Sequence, residues 1–250
     1  MNALVEYLLR LGDDRLVLGH RLSEWCGHAP ILEEDIALSN IGLDLLGQAA
    51  EFLGLAGEVE GLGRDADALA FGRGATELRN VQLVEQPNGD FAHTIARQVL
   101  FDTASLAVLE QLAGAKHAKL AELAAHAAKE TRYHVRHGRD WFVRLGDGSA
   151  ESHTRTQRAL DSLWIFTPEL LEADAVDAEL GRAGIGADLA SVRAGWRREI
   201  SALIEQATLR QPEDPPYPAT GGRRGVHTEH LDHLLSNMQC VARAHPEARW

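Results

Sequence analysis

The residues able to do chemistry in this chain are a few polar side chains that fall on apolar helix faces. At about 100° per residue, Asp102 lies in the middle of the stripe Ile95, Val99, Leu106 and Leu109. His134 lies between Leu123, Ala127, Trp141 and Leu145, with Glu130 one turn before it. Asn40, Asp44, Gln48 and Glu51 draw a narrow polar line along a segment that is otherwise apolar nearly all round. Arg15 sits among Leu4, Leu8, Leu11, Leu18 and Leu22, while Asp13 and Glu24 fall on the polar side of that helix. A buried charge is costly unless it is paired, so ionisable groups on several apolar faces ask for a reason. One reason is a carboxylate di-metal centre. Such a centre takes one Glu from each of two helices and a Glu-x-x-His from each of two others, the i, i+3 spacing putting carboxylate and imidazole on one face.

The slots for that centre are poorly filled. The first helix offers Arg15, a cation that cannot ligate. The second offers Asp44-Leu45-Leu46-Gly47, with glycine where His belongs. The third offers Asp102 alone. The fourth offers Glu130-Thr131-Arg132-Tyr133, with tyrosine in the His slot and His134 one position late. Three readings stay open: a buried ion-pair network with Arg15 as internal cation, which these slots support best; a degraded site that still binds metal; and a solvated face. The expectation is therefore no catalytic, cofactor-binding or metal-binding residue, with Asp44, Asp102, Glu130 and His134 as degenerate di-iron positions.

Other signals carry less chemistry. His227, His230 and His233 flank Glu229, but their spacing walks around a helix and cannot converge on one ion, so a solvated or partner-facing surface is expected. Gly221-Gly222-Arg223-Arg224-Gly225 suits either a phosphate, such as that of coenzyme A, or a flexible basic arm meeting an acidic partner. There is no GxGxxG, P-loop or GxSxG motif. The five tryptophans read as core or interface anchors.

Helical periodicity runs almost everywhere, with no sustained period-two alternation. Four long helices are expected over about 2–26, 33–55, 91–113 and 116–145, each roughly 30 Å of axis. A Gly- and Asp-rich loop with room for one short turn should cover 57–74, and Gln86-Pro87-Asn88-Gly89-Asp90 should turn the chain. Further helices are expected over 152–166, 168–180, 187–209 and 228–245, with a proline-rich extended arm over 211–225. The arm looks poorly suited to packing on its own body, and the C-terminal third is the expected docking region. The fold class expected is all-α: a single ferritin-like four-helix-bundle domain over residues 1–250, with its core bundle at about 2–146 and C-terminal helices and the arm at about 150–250.

Composition narrows the function. The chain has 250 residues and a formal charge of −12, which disfavours nucleic acid. No run approaches the roughly 18 apolar residues of a membrane-spanning helix. The N-terminus does not read as a signal peptide. Two cysteines, Cys26 and Cys240, neither in a CxxC, fit a reducing cytoplasm.

Four blocks then stand out. They are Leu38-Ser39-Asn40-Ile41-Gly42-Leu43-Asp44-Leu45-Leu46-Gly47-Gln48-Ala49, Leu83-Val84-Glu85-Gln86-Pro87-Asn88-Gly89, Trp141-Phe142-Val143-Arg144-Leu145-Gly146-Asp147-Gly148 and Gly221-Gly222-Arg223-Arg224-Gly225-Val226-His227-Thr228-Glu229-His230-Leu231. Through them the chain resembles the phenylacetic acid catabolic family over essentially its whole length. The resemblance implies a ferritin-like fold and a place in a multicomponent phenylacetyl-CoA epoxidase, which uses NADPH and O2 on the aromatic ring. It implies a catalytic A subunit that carries the di-iron centre, and a structural subunit of the same fold without iron ligands. A small B subunit, a reductase and self-association in a heterotetramer are implied as well. The empty slots and Arg15 match the structural branch, with no cofactor in this chain. The alternatives are a di-iron oxygenase in its own right, and a stand-alone helical protein that binds a small ligand in the old metal cavity.

Overall fold

The computed structural model describes residues 2–245, 247 and 248, so Trp250 lies outside the described residues. The fold class is all-α, that of a ferritin-like helical bundle, with no strand among the described residues. The chain forms two compact units, one made of Met1–Pro87 and Thr220–Trp250, the other of Asn88–Ala219.

The first unit is organised around α1 (Ala3–Ser23) and α2 (Leu32–Glu60). Asn2 starts α1 by accepting the Leu4 N–H at 2.9 Å. Gly61, in the left-handed region at φ +71°, ends α2. The two helices run antiparallel and come together at glycines. A Cβ on Gly12 would stand 2.7 Å from the Leu53 side chain, and one on Gly19 would stand 3.1 Å from the Gly42 carbonyl oxygen. Every residue from Val5 to Gly19 is buried, so α1 has no solvated face along that stretch. Leu8, Leu18 and Leu22 are wholly buried, each worth about 1.5–3 kcal/mol of transfer free energy.

The same unit holds α3 (Ala66–Phe71), α4 (Gln82–Glu85), α11 (Glu229–Met238) and α12 (Cys240–Ala244). Two expectations change here. The second helix does not stop near Leu55 but runs to Glu60; the short turn expected within 57–74 is α3, capped by the Asp65 carboxylate on the Ala68 N–H at 2.8 Å. The last helix is two helices that meet at Gln239, whose buried amide donates to the Ala70 and Arg73 carbonyls at 3.1 and 2.9 Å.

The second unit is organised around α5 (Phe91–Leu112) and α6 (Ala118–Gly146), also antiparallel. Asp90 caps α5 through the His93 N–H, and His117 caps α6 through the Leu120 N–H. Gly138 lets α6 approach α5, since a Cβ there would meet Val99 at 3.1 Å. Around the pair lie α7 (Ala150–Leu163), α8 (Thr167–Leu170), α9 (Ala175–Ala183) and α10 (Leu189–Gln206). The helix expected over 168–180 is broken between α8 and α9, because Asp174 and Asp177 build a capping box that restarts the helix. Trp196 of α10 stacks on Trp164 at 6.0 Å and donates its indole N–H to the Leu100 carbonyl at 3.0 Å.

Candidate functional site

The degenerate metal positions divide between the two units. In the first unit Arg15 is buried as expected. Its Nε donates to Gln48 Oε1 at 2.9 Å, an Nη donates to the Leu11 carbonyl at 2.8 Å, and its guanidinium lies 4.9 Å from the centre of the Phe52 ring. Of the polar line on α2, only Gln48 is buried; Asn40 and Glu51 are exposed and Asp44 is half-buried. The line is therefore a boundary of the buried face, with Gln48 as its one inward member. In the second unit Asp102 and His134 are buried, and Asp102 accepts from the Gln98 amide at 3.0 Å. Glu130 is half-buried, with His126 at 4.0 Å.

These residues do not fit a di-iron centre. Gly47 occupies one imidazole slot and faces open space. Tyr133 occupies the other, is exposed, and stacks with His137 at 6.4 Å. The first-helix slot holds a guanidinium that is already hydrogen-bonded. Together they lack the donor set that two carboxylate-bridged irons need. Among the described residues no three His, Cys, Asp or Glu side chains are grouped so as to hold a metal ion.

A denser polar constellation lies elsewhere in the first unit. Asp13, expected on a polar side, is fully buried and paired with Arg73, whose side chain is also buried. It accepts the Arg79 backbone N–H at 2.8 Å as well. Burial pushes the Asp13 carboxyl above its ordinary value, and the Arg73 guanidinium opposes that. Next to it, Asp14 accepts the Val81 N–H at 2.8 Å and both Nη groups of Arg223. Glu6 pairs with Arg10 at 3.3 Å and with Arg79 at 3.2 Å. Farther along α1, Arg21 donates to the Glu85 and His230 carbonyls at 2.8 and 2.9 Å. The Glu85 carboxylate accepts the Thr228 N–H at 3.1 Å and lies 3.4 Å from His227 Nδ1.

Three expectations are corrected by this constellation. The Gly221–Gly225 block is neither a free arm nor an open phosphate loop, because Arg223 is engaged with Asp14 and with the Arg10 and Arg79 carbonyls. The glycines make this docking sterically feasible: a Cβ on Gly222 would stand 2.1 Å from the Asn80 carbonyl oxygen, and one on Gly225 would stand 2.2 Å from that of Thr76. His227 is not on a solvated surface; its side chain is buried and its Nε2 lies 3.2 Å from the Leu78 carbonyl. Helical periodicity could not have found Asp13 and Asp14, since it assumes one solvated face and α1 has none there.

Two of the blocks singled out in the sequence thus have structural jobs. The Leu83–Gln86 stretch and the Gly221–Leu231 block meet each other and α1, joined through Arg21, Glu85 and Arg223. Comparison with known proteins gives the same affiliation. The model of the "Phenylacetic acid catabolic protein" family matches residues 1–250. The chain belongs to this family. Among curated relatives it is 50% identical, over 250 residues and 100% of both chains, to a protein of Escherichia coli (strain K12) named as the C component of 1,2-phenylacetyl-CoA epoxidase. Membership of the phenylacetic acid catabolic family fits the all-α fold, and among the described residues no helix is long and apolar enough to cross a membrane.

Proposed function

We propose that this chain is the non-catalytic structural subunit of a multicomponent phenylacetyl-CoA epoxidase. In this reading it holds a di-iron catalytic A subunit, and a B subunit and a reductase complete the system. The observation that carries the reading is the 50% identity, over the full length of both chains, to a protein named as the C component of that epoxidase. The residues of the degenerate positions support it. O2 activation needs a reducible metal or another redox cofactor, and here a guanidinium bound to Gln48 and Phe52 stands where a ligand carboxylate is needed. The polar groups of α1 serve the fold instead, fastening the C-terminal segment to the N-terminal helices.

The test is expression of the chain alone and together with the catalytic subunit. Alone, after growth in iron-rich medium, it should carry no stoichiometric iron and should not turn over phenylacetyl-CoA with reductase and NADPH. Co-expressed, the two should elute together and the iron should follow the catalytic subunit. Two irons bound per isolated chain, or product formed without the catalytic subunit, would overturn the reading in favour of an oxygenase in its own right.

A further inference from the structure

The exposed face of α2 has a pattern that the fold of this chain does not use. Leu32, Ile36 and Leu43 are 72%, 53% and 66% exposed. With Gly47, Ala50 and Gly54 they fall within about 60° of arc on the helix, at about 100° per residue. Ile36, Leu43 and Ala50 recur every seven residues, and Gly47 and Gly54 repeat the same interval four positions on. A seven-residue apolar repeat is the seam of a left-handed helix–helix contact. Gly47 and Gly54 have nothing within 4 Å of where a Cβ would stand, so neither is explained by close packing inside the chain. Their effect is outward: they lower the ridge where another helix could come close.

Charge selects the occupant. Between Leu32 and Glu60 there are acidic residues at Glu33, Glu34, Asp35, Asp44, Glu51, Glu58 and Glu60, and no Lys, Arg or His. Glu33, Asp44, Glu51 and Glu58 follow one flank of the seam. A second copy of the chain would set acid against acid, and the whole chain carries −12. An anionic lipid surface is disfavoured for the same reason. A helix with large apolar side chains facing the glycines and Lys or Arg along its flank answers both the shape and the charge.

We infer that the exposed face of α2 is a docking seam for a helix of a different polypeptide, apolar at its centre and basic along its edge. This rests on the functional reading above, in which that polypeptide is the catalytic subunit.

The test is the co-expressed complex with Leu43→Glu and, separately, Gly47→Gln in this chain. The second adds a side chain in open space, so the melting temperature of the isolated chain should not fall. Both variants should raise the dissociation constant for the catalytic subunit at least tenfold. If both bind as the wild type does, the seam is overturned and the functional reading stands. If the wild-type chain forms no complex at micromolar concentration, the functional reading fails and this occupant with it. If the wild-type chain alone is a dimer that Leu43→Glu makes monomeric, the seam belongs to a second copy and the heterologous assignment is overturned.

Discussion

The two carboxylate oxygens of Asp14 are held by the Arg223 guanidinium at 2.9 and 2.8 Å, across 209 residues of sequence. The Asp14 side chain is 7% exposed and that of Arg223 is 19% exposed. This two-point contact fastens the segment before α11 onto α1. It makes the C-terminal helices a part of the first unit rather than an appendage.

Arg223→Ala should therefore be costly. It leaves the Asp14 carboxylate buried with the Val81 N–H and without its cation. Breaking a buried pair from one side costs about 3–5 kcal/mol. The partial exposure of Arg223 places this loss at the lower end, about 3 kcal/mol. Arg223→Lys should recover part of it, since it keeps the charge but cannot donate from two fixed positions. Urea denaturation of the two variants beside the wild type measures both.

Gly222→Ala tests the docking by shape alone. The added methyl would overlap the Asn80 carbonyl oxygen, and main chain cannot move aside as a flexible side chain can. A loss of about 1–3 kcal/mol, or more, is expected from overpacking of this kind. Hydrogen exchange should show α11 and α12 opening before α1. Uniform protection across the unit would contradict the fastening role.

In the second unit, Trp196 combines stacking with one hydrogen bond. Trp196→Phe keeps a ring against Trp164 and loses the bond to the Leu100 carbonyl, a change of about 1 kcal/mol. Trp196→Ala also opens a cavity and should cost about 3–5 kcal/mol. The difference between the two in denaturant midpoint separates packing from hydrogen bonding.

Two histidines predict the pH response. Burial holds His20 below its ordinary value of 6.5. Burial, then the Arg97 charge, does the same for His93, against the opposing pull of Asp90. With the folded value depressed, the unfolded chain takes up the proton first as pH falls. Stability from these groups is thus full above 6.5 and declines as pH drops through 6.5 toward the folded values. A His20→Gln, His93→Gln double variant should show a flatter denaturation midpoint between about pH 7 and about pH 5 than the wild type. An identical slope would rule these two groups out as its source.

The sequence by itself determined the four long helices and the family. Leucine spacing placed α1, α2, α5 and α6 within a few residues, because a helix that buries one stripe must repeat its apolar residues at that period. The motif blocks gave the affiliation, and the types at the metal slots, Arg15, Gly47 and Tyr133 among them, were readable as they stood. Tertiary structure decided which polar groups are buried and with whom. Asp13 and Asp14 are hidden because α1 is covered on every side along that stretch, which no single-helix periodicity can register. Arg223 and His227 looked like surface charge because their partners, Asp14 and Glu85, lie more than a hundred residues away in the chain. A pairing at that separation is fixed by how the segments pack, and by glycines whose missing side chains let them approach, rather than by any local pattern.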